Sequence, residues 1–348
     1  MLGDGSTNIL LNGSDVAGNY NLIVNAGSGA VTLGLTSGET EIDVNKLTVT
    51  ATGQTNIAGN IAADEGIDLS NATNVDITTD VTLTNTDSGT VNLTGGLDGA
   101  FDLTISANAT DVRPGALGAN ASLGEGDAST ALTVTSTGTT TLLGNITATA
   151  GEGINFGGAS NVVLGADVQV STGAGGAGNI IFANSAANSL SGAFDLTLVA
   201  GTGAVQFDNI TQLTSLTVSS SDSTQFVGAA DMNGDISVAA ASLIDVDGST
   251  VTTGGITLDS AANVDIDGVL TAGGNIDIDG DNNVAIDADI TASGNSIITI
   301  TADSGTANNA GDLTIAQAAS ASITSEDGNI TIEGENITLG TGALAGIV

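Results

Sequence analysis

A 20-residue repeat runs through residues 234–292 and limits what this chain can fold into. When this stretch is written in rows of 20, residues of one kind fall in columns. The clearest columns are Gly234, Gly254, Gly274 and Gly294, then Ile236, Ile256 and Ile276, then Ile244, Val264 and Val284, and then Val246, Ile266 and Ile286. A fixed period of this length indicates a stack of near-identical turns.

Within each turn, apolar residues occur in pairs two positions apart, which is the period of a β-strand. Residues 256–258 and 264–266 are predicted to be strands, and residues 269–270 a shorter third strand. Gly, Asn and Asp separate them, where the chain has to bend. No apolar stripe of helical spacing persists, so each strand should pair with its equivalent one turn later, about 4.8 Å away. The sequence therefore predicts an all-β fold, a parallel β-helix or β-solenoid.

A longer repeat of about 85 residues overlies the 20-residue turn. The string at residues 47–50, Leu-Thr-Val-Thr, returns at residues 132–135 and, with one change, at residues 216–219. With about 20–22 residues per coil, the 348-residue chain should contain roughly 16–17 coils. The prediction is one continuous solenoid over 1–348, with modules at about 1–88, 89–178 and 179–233, regular 20-residue coils at 234–301 and C-terminal coils at 312–348.

Two stretches break this rhythm. Residues 106–127 include Pro114 and many Gly, Ala and Asn residues, and residues 302–311 form a shorter break. Both are predicted to be loops that leave the column of coils. Loops on a rigid scaffold often carry function. The favoured interpretation is nevertheless a tolerated insertion between coils, because insertions into solenoids commonly form such loops.

The charge balance excludes several partners. The chain has 39 acidic residues and only two basic ones, Lys46 and Arg113, which gives a formal net charge of −37. Nucleic acids and anionic lipids are bound through Lys and Arg, so neither is expected as an electrostatic partner. No apolar run is long enough to predict a membrane span, and the first residues do not resemble a signal peptide. We therefore expect a processed protein or a segment of a longer one.

Acidic residues fall in columns on the outward side of the predicted strands. At 20-residue spacing, the carboxylates of Asp247, Asp267 and Asp287 should stack about 4.8 Å apart. Ca²⁺ prefers carboxylate oxygens and would reverse the repulsion between them. The alternative is a solvated acidic face, favoured because the Gly-Gly-x-Gly-x-Asp repeat of calcium-binding β-rolls is absent. Asp259 and Asp279 form a third short column. The candidate calcium ligands are Asp245, Asp247, Asp265, Asp267, Asp279 and Asp287.

Catalysis finds little support in the sequence. Because the chain has no His and no Cys, the usual general bases and activated nucleophiles are missing. Paired carboxylates can hydrolyse glycosides, but no acidic pair stands out among so many acids. Polysaccharide lyases with a β-helix fold need cationic side chains opposite uronate carboxylates, and the two basic residues are far apart in sequence. We therefore do not expect an enzyme.

The few aromatic residues are predicted to be internal, so a glycan-binding face of exposed rings is not expected. Phe156, Phe182, Phe207 and Phe226 occupy apolar columns, and Phe101, Phe194 and Tyr20 occupy matching positions in the longer modules. Thr-x-Thr pairs suggest an ice-binding face, which requires such pairs in consecutive coils. Because pairs such as those at 48–50 and 133–135 recur about 85 residues apart and not in consecutive coils, the sequence argues against such a face.

Several strings resemble the coils of one group of bacterial proteins. They are Gly144-Asn145-Ile146-Thr147-Ala148, Gly153-Ile154-Asn155-Phe156 and Gly328-Asn329-Ile330-Thr331-Ile332. They resemble the G-N-I-x-[IVL] coils of filamentous haemagglutinin-like exoproteins and related β-strand-repeat surface proteins. The resemblance covers nearly the whole chain and rests on composition and period. It implies a right-handed parallel β-helix, secreted to the cell surface, that acts as the rod or shaft of an adhesin or fibre.

Two non-enzymatic functions remain open at this point. In the first, the chain is a passive shaft. In the second, it is a self-polymerising filament or surface-layer subunit, joined head-to-tail through the unpaired strand edges of an uncapped β-helix. Self-association or contact with other cell-surface components is expected in either case. A polysaccharide-active β-helix enzyme is the less favoured third interpretation.

Overall fold

The computed structural model describes residues 7–11, 16–34, 40–108, 111–127, 129–182, 189–302, 311–315 and 321–339. Over these residues the chain forms parallel stacked coils, a β-solenoid of about 14 turns without a helix. This confirms the predicted parallel β-helix. The chain divides into two compact units, Met1–Asn184 and Ser185–Val348. The single continuous solenoid, its longer modules and its right-handedness stay predictions.

In the first unit, strands of successive coils pair in parallel, as β7 does with β9 and β9 with β11. Inward side chains alternate with outward ones along each strand, as the strand period requires. The described strands of this unit are β1 (Ile9–Leu11), β2 (Val16–Gly27), β3 (Val31–Leu33), β4 (Thr40–Ile57), β5 (Asn60–Ala63), β6 (Ile67–Ile77), β7 (Val81–Asn85), β8 (Thr90–Leu93), β9 (Leu103–Ala107), β10 (Asp111–Pro114), β11 (Thr130–Leu142), β12 (Ile146–Thr147), β13 (Gly153–Leu164), β14 (Val168–Ser171) and β15 (Ile180–Ile181).

The second unit is more regular, with three short strands in each of its central coils. The described strands are β16 (Ser189–Ser191), β17 (Asp195–Val199), β18 (Val205–Phe207), β19 (Asn209–Thr211), β20 (Ser215–Ser220), β21 (Ser223–Phe226), β22 (Ala230–Met232), β23 (Ile236–Ala240), β24 (Leu243–Val246), β25 (Thr250–Thr252), β26 (Ile256–Ser260), β27 (Asn263–Ile266), β28 (Leu270–Ala272), β29 (Ile276–Gly280), β30 (Asn283–Ile286), β31 (Ile290–Ala292), β32 (Ile298–Ala302), β33 (Asp312–Ile315), β34 (Ile323–Ser325), β35 (Ile330–Glu333) and β36 (Asn336–Leu339). The three predicted strands of one turn therefore correspond to β26, β27 and β28.

Stacked aliphatic side chains hold the coils of the second unit together. Ile256 pairs with Ile236 on one side and with Ile276 on the other, and all three are about 1% exposed. Full burial of one such side chain contributes about 1.5–3 kcal/mol, and each one packs on its equivalents above and below. The columns seen in the sequence are thus the core of the solenoid.

The expected count of 16–17 coils is too high because many coils are longer than the repeat on which the count was based. The 20-residue step holds where Ile256 pairs with Ile276. In the first unit, however, the partner of Leu103 is Leu132, a 29-residue step. In the second unit, the partner of Ile298 is Ile330, a 32-residue step. Longer steps use up chain without adding a turn.

The predicted loop at residues 106–127 is wrong for much of its length. Residues 111–114 form β10, which pairs with β8, and Pro114 is buried at the last position of that strand. Leu117 and Leu123 are buried and make single parallel bridges to residues of the next coil. These apolar residues enter the core at irregular spacing, which the 20-residue pattern does not detect. Within the second break, residues 303–310 lie outside the described part.

The aromatic predictions hold for four rings. Phe156 stacks on Phe182 with ring centres 5.2 Å apart, and Phe207 stacks on Phe226 at 5.1 Å, all within the core. Three other predictions are wrong, since Phe101 is only half-buried, Phe194 is 36% exposed and Tyr20 is 44% exposed. Tyr20 lies within a register shift of β2, and the residue ahead of β17, Phe194, follows a turn.

Candidate functional site

The structure places one acidic pair side by side, as the sequence predicts. Strands β24 and β27 pair in register, with Asp245 opposite Asp265. Both side chains are half-buried. The next residue in this column is Ala285, so the two carboxylates form a pair and not a longer ladder.

A second acidic column lies where these strands end. Asp247, Asp267 and Asp287 follow β24, β27 and β30, and all three are exposed. Their backbone N–H groups each donate to a carbonyl of the preceding coil, at 3.0, 2.9 and 2.8 Å. The three residues therefore hold equivalent positions in consecutive coils, as predicted.

The sixth predicted ligand, Asp279, lies in a separate column with Asp259, as the 20-residue spacing predicts. Asp279 lies on β29, which belongs to a different sheet from β27, and its register partner is Asp259. One carboxylate oxygen of Asp279, Oδ1, is buried and has no hydrogen-bond partner among the described residues. Five of the six candidates thus border β24, β27 and β30, and Asp279 stands apart with Asp259.

Calcium binding by these residues stays a prediction. Among the described residues, no group of three or more acidic side chains has the arrangement of a metal site. The measurement that decides it is thermal unfolding with and without a chelator. Chelation should lower the melting temperature if Ca²⁺ is bound, and Asp267→Asn should blunt that response. An unchanged melting temperature would contradict calcium binding and favour the alternative, a solvated acidic face.

A glutamine that the sequence analysis did not single out donates hydrogen bonds at one end of the acidic pair. The side-chain amide of Gln225 donates from Nε2 to Oδ2 of Asp245 at 3.1 Å and to Oδ2 of Asp247 at 3.0 Å. Its own Oε1 accepts from Nε2 of Gln206 at 3.0 Å. Gln225 stands one 20-residue step before Asp245, its register partner, and that column position was the signal that could have identified it.

Burial and repulsion from neighbouring acids raise the pKa values of Asp245 and Asp265. For Asp265, burial has the largest effect on the pKa, followed by the charges of Asp267, Asp287 and Asp247. For Asp245, burial again comes first, followed by the same kind of repulsion from neighbouring acids. The pKa of Asp259 is raised for the same reasons, with Asp279 as its main charged neighbour.

These pKa shifts predict a pH dependence of stability. The folded-state pKa of Asp265 lies above its ordinary value of 3.8, so the folded form binds the proton more tightly. The resulting stabilisation is complete below that value and is lost as the pH rises through the folded pKa. We expect the melting temperature to rise as the pH falls from about 7 towards 4.5. We also expect Asp265→Asn to raise the melting temperature at neutral pH, with a smaller gain in acid.

Asp231→Asn is the matched control for this measurement. Asp231 is exposed in the same unit, and its neighbours in register are Thr211 and Val251, not acids. Asp231→Asn removes the same charge as Asp265→Asn, but it does not relieve repulsion between aligned carboxylates. Equal gains in melting temperature for the two variants, measured by circular dichroism, would contradict the prediction and assign the effect to total charge.

The first unit contains a buried acid that the sequence analysis missed. The side chain of Glu152 is fully buried, and its Oε1 accepts hydrogen bonds from the backbone N–H groups of Gly126 and Asp127. Its Oε2 has no partner among the described residues. Burial raises the pKa of this carboxyl, and Asp102 and Asp127 raise it further. Through these hydrogen bonds, Glu152 links its coil to the turn of the preceding coil. It lies between two glycines, outside the apolar columns, so the sequence period did not indicate that it is buried.

A cavity of about 280 Å³ opens in the same unit and is lined mainly by small residues, among them Ser129, Thr130 and Asn155. It lacks an acidic pair or an aromatic wall in its lining. A smaller cavity of about 240 Å³ contains Lys46 together with Glu65 and Asp68. Neither lining includes one of the predicted calcium ligands.

Comparison with protein-family models, with curated proteins and with solved structures finds no match to this chain. In the part of the chain that the structure describes, no helix has the length and apolarity needed to cross a membrane.

Proposed function

We propose that the chain is a non-enzymatic structural protein, the rod or shaft of a secreted bacterial adhesin or fibre. The observation that carries this proposal is the coil-on-coil register of the second unit. Between β21 and β31 each coil repeats the one before it, residue for residue, at a step of 20. Such an array keeps the parts of the molecule at its two ends a fixed distance apart, which is the function of a shaft.

The strings that resemble filamentous haemagglutinin-like exoproteins support the same proposal. In two of them the apolar residue after Asn is the first residue of a strand. Ile146 begins β12 and pairs with Val170, and Ile330 begins β35 and pairs with Ile298. The shared pattern therefore coincides with the start of a coil strand. The family name, the secretion and the cell-surface location are part of the proposal.

A specific observation favours self-assembly as a second candidate function. In the last described coil, the apolar residues that should face the core are partly exposed. Ile337 is 45% exposed, whereas its register partner Leu313 is fully buried. No described strand pairs with the outer edges of β35 and β36. A coil from a second copy, stacked in parallel, would cover these side chains and satisfy that strand edge.

Electron microscopy of the purified full chain over a range of concentrations tests both candidates. Self-assembly predicts fibres whose number grows with concentration. It further predicts that Ile337→Lys abolishes them, because a charge would be buried in the stacked core. Val251→Lys is the control, since Val251 is 40% exposed in the middle of β25.

The outcomes separate the two functions. Fibres that survive in Ile337→Lys would contradict stacking through this edge. Isolated particles at every concentration would contradict self-assembly and favour the passive shaft. A hydrolytic or lytic activity on polysaccharides would overturn both.

A further inference from the structure

Three neighbouring strands of the first unit carry an outward grid of hydroxyl groups. Strands β7, β9 and β11 belong to consecutive coils and pair in parallel without a register shift in this region. Two rows of aligned residues result, and we name these six residues the hydroxyl grid: Thr82, Thr104 and Thr133 in one row, and Thr84, Ser106 and Thr135 in the other.

This arrangement overturns the argument drawn from the spacing of Thr-x-Thr pairs. The pairs at residues 82–84 and 133–135 are far apart in sequence, yet only one coil separates them. That coil carries Thr104 and Ser106 at the matching positions. Unequal steps, from Thr82 to Thr104 and then from Thr104 to Thr133, conceal the regularity. Consecutive coils therefore do present paired hydroxyls in register.

The hydroxyls of the grid are available to a ligand. The alternate residues of the same strands, such as Leu83, Ile105 and Val134, are fully buried, so the grid points outward. All six grid residues are at least partly exposed. None of their hydroxyls has a hydrogen-bond partner among the described residues.

The residues aligned with the grid in the coils on both sides are uncharged. Acids border its edges, since Asp80 and Asp102 directly precede β7 and β9, and Asp64 accepts from the Thr86 hydroxyl. On one side, Ala62 pairs with Thr84, and the Oδ1 atom of Asn60 accepts from the backbone N–H of Thr82 at 2.7 Å. On the other side, Asn155 pairs with Thr133 and Gly158 pairs with Thr135. A Cβ atom at residue 158 would lie 2.6 Å from the Thr135 hydroxyl, so glycine leaves that hydroxyl uncovered. In a chain of net charge −37, these aligned positions carry only small, neutral side chains across five coils.

The dimensions of the grid suit a lattice of water. Neighbouring coils repeat about every 4.8 Å, and alternate residues of one strand lie about 6.6–6.8 Å apart. Waters that share one hydrogen-bonded neighbour in a tetrahedral network lie about 4.5 Å apart, for O···O distances of about 2.75 Å. The repeat across two layers of that network is about 7.3 Å. Each grid spacing agrees with the corresponding water spacing to within about a tenth.

The chemistry of the side chains points the same way. A hydroxyl both donates and accepts, so it can replace a water of either orientation, whereas a carboxylate accepts only. Threonine also presents a methyl group beside each hydroxyl. From the grid, its flanks and its spacing we infer that this face of the first unit binds the surface of ice.

A glycan is the other ligand that offers hydroxyls, and the face lacks what a glycan usually requires. Sugar rings stack on exposed aromatic side chains, and neither the grid residues nor the residues aligned with them on both sides are aromatic. The grid also contains no carboxylate, although acids are abundant elsewhere in the chain.

The test is partition of the labelled full chain into a slowly growing ice front, with microscopy of single ice crystals in its presence. The wild-type chain should be enriched in the ice and should shape the crystals. Thr104→Lys, at the centre of the grid, should lose the enrichment. Thr271→Lys is the control, because Thr271 points outward on β28 of the second unit and its replacement changes the net charge equally. Far-UV circular dichroism shows that each variant is folded.

The other outcomes overturn the inference. Absence of wild-type enrichment in ice would refute ice binding. Equal loss in Thr104→Lys and Thr271→Lys would remove the grid as its cause. Binding to crystalline chitin or cellulose without enrichment in ice would assign the face to a glycan. The proposed shaft function stands or falls separately, on microscopy of the particles.

Discussion

Replacing Gly89 with alanine is expected to lower the free energy of unfolding of the first unit by about 2–4 kcal/mol. Gly89 has a φ of +94°, a conformation that an L-residue with a side chain rarely adopts. An added Cβ atom would also lie 2.0 Å from the carbonyl oxygen of Glu65 in the preceding coil. That oxygen is part of the backbone and cannot turn aside, so the coils would have to separate locally.

Two other glycines of the same unit isolate the two contributions. Gly151 has a φ of +102° but no atom within 4 Å of an added Cβ, so Gly151→Ala should cost only the backbone strain, about 1–2 kcal/mol. Gly175 has neither a positive φ nor a close neighbour, and Gly175→Ala should change stability by less than about 0.5 kcal/mol. Denaturant unfolding of the full chain, with hydrogen exchange at the amides of β6 and β8, measures the series. If Gly89→Ala and Gly151→Ala cost the same, close packing between coils is not the cause.

The central coils of the second unit could be predicted from the sequence because their period is constant. Where every coil has the same length, a column in the sequence is a column in space, as for Ile236, Ile256 and Ile276. The same arithmetic fails in the first unit, where the steps between paired strands are unequal, as the pairing of Leu103 with Leu132 shows. A register that shifts from coil to coil is set by packing, which the sequence pattern does not display. This is why β10, with Pro114 at its end, was predicted to be a loop.

The positions of the acidic columns could be predicted from the same constant period. The hydrogen bonds and burial of the neighbouring side chains could not. The opposition of Asp245 and Asp265 follows from the 20-residue step alone. The hydrogen bonds from Gln225 depend on side-chain rotamers, and the position of Asp279 on another sheet depends on where the coil bends. The burial of Glu152 depends on the turn in which it lies between two glycines, and this turn is outside any periodic strand.

The aromatic residues show how a correct period can still misplace a side chain. Phe194 stands two positions before the buried Leu196, so strand alternation predicts that it faces inward. Its N–H instead donates to the carbonyl of Gly192 at 2.9 Å, within a turn that precedes β17. The alternation begins only where the strand begins, and the ring is left at the surface.

Truncation of the core ring Phe207 to alanine should therefore cost far more stability than the same change at Phe194. Phe207 is fully buried and stacks on Phe226, its register partner in the next coil. Phe207→Ala should lower the free energy of unfolding of the second unit by about 3–5 kcal/mol, because a cavity would remain between two coils.

Phe194→Ala is the matched control, with an expected cost below about 1 kcal/mol, because this ring keeps much of its contact with water. Both variants lose the same atoms from the same unit, so denaturant unfolding compares burial alone. Equal costs would contradict the placement of these two rings. A cost of about 3–5 kcal/mol at Phe207 alone would show that the coils are held by stacked core side chains, since the backbone ladder is unchanged in both variants.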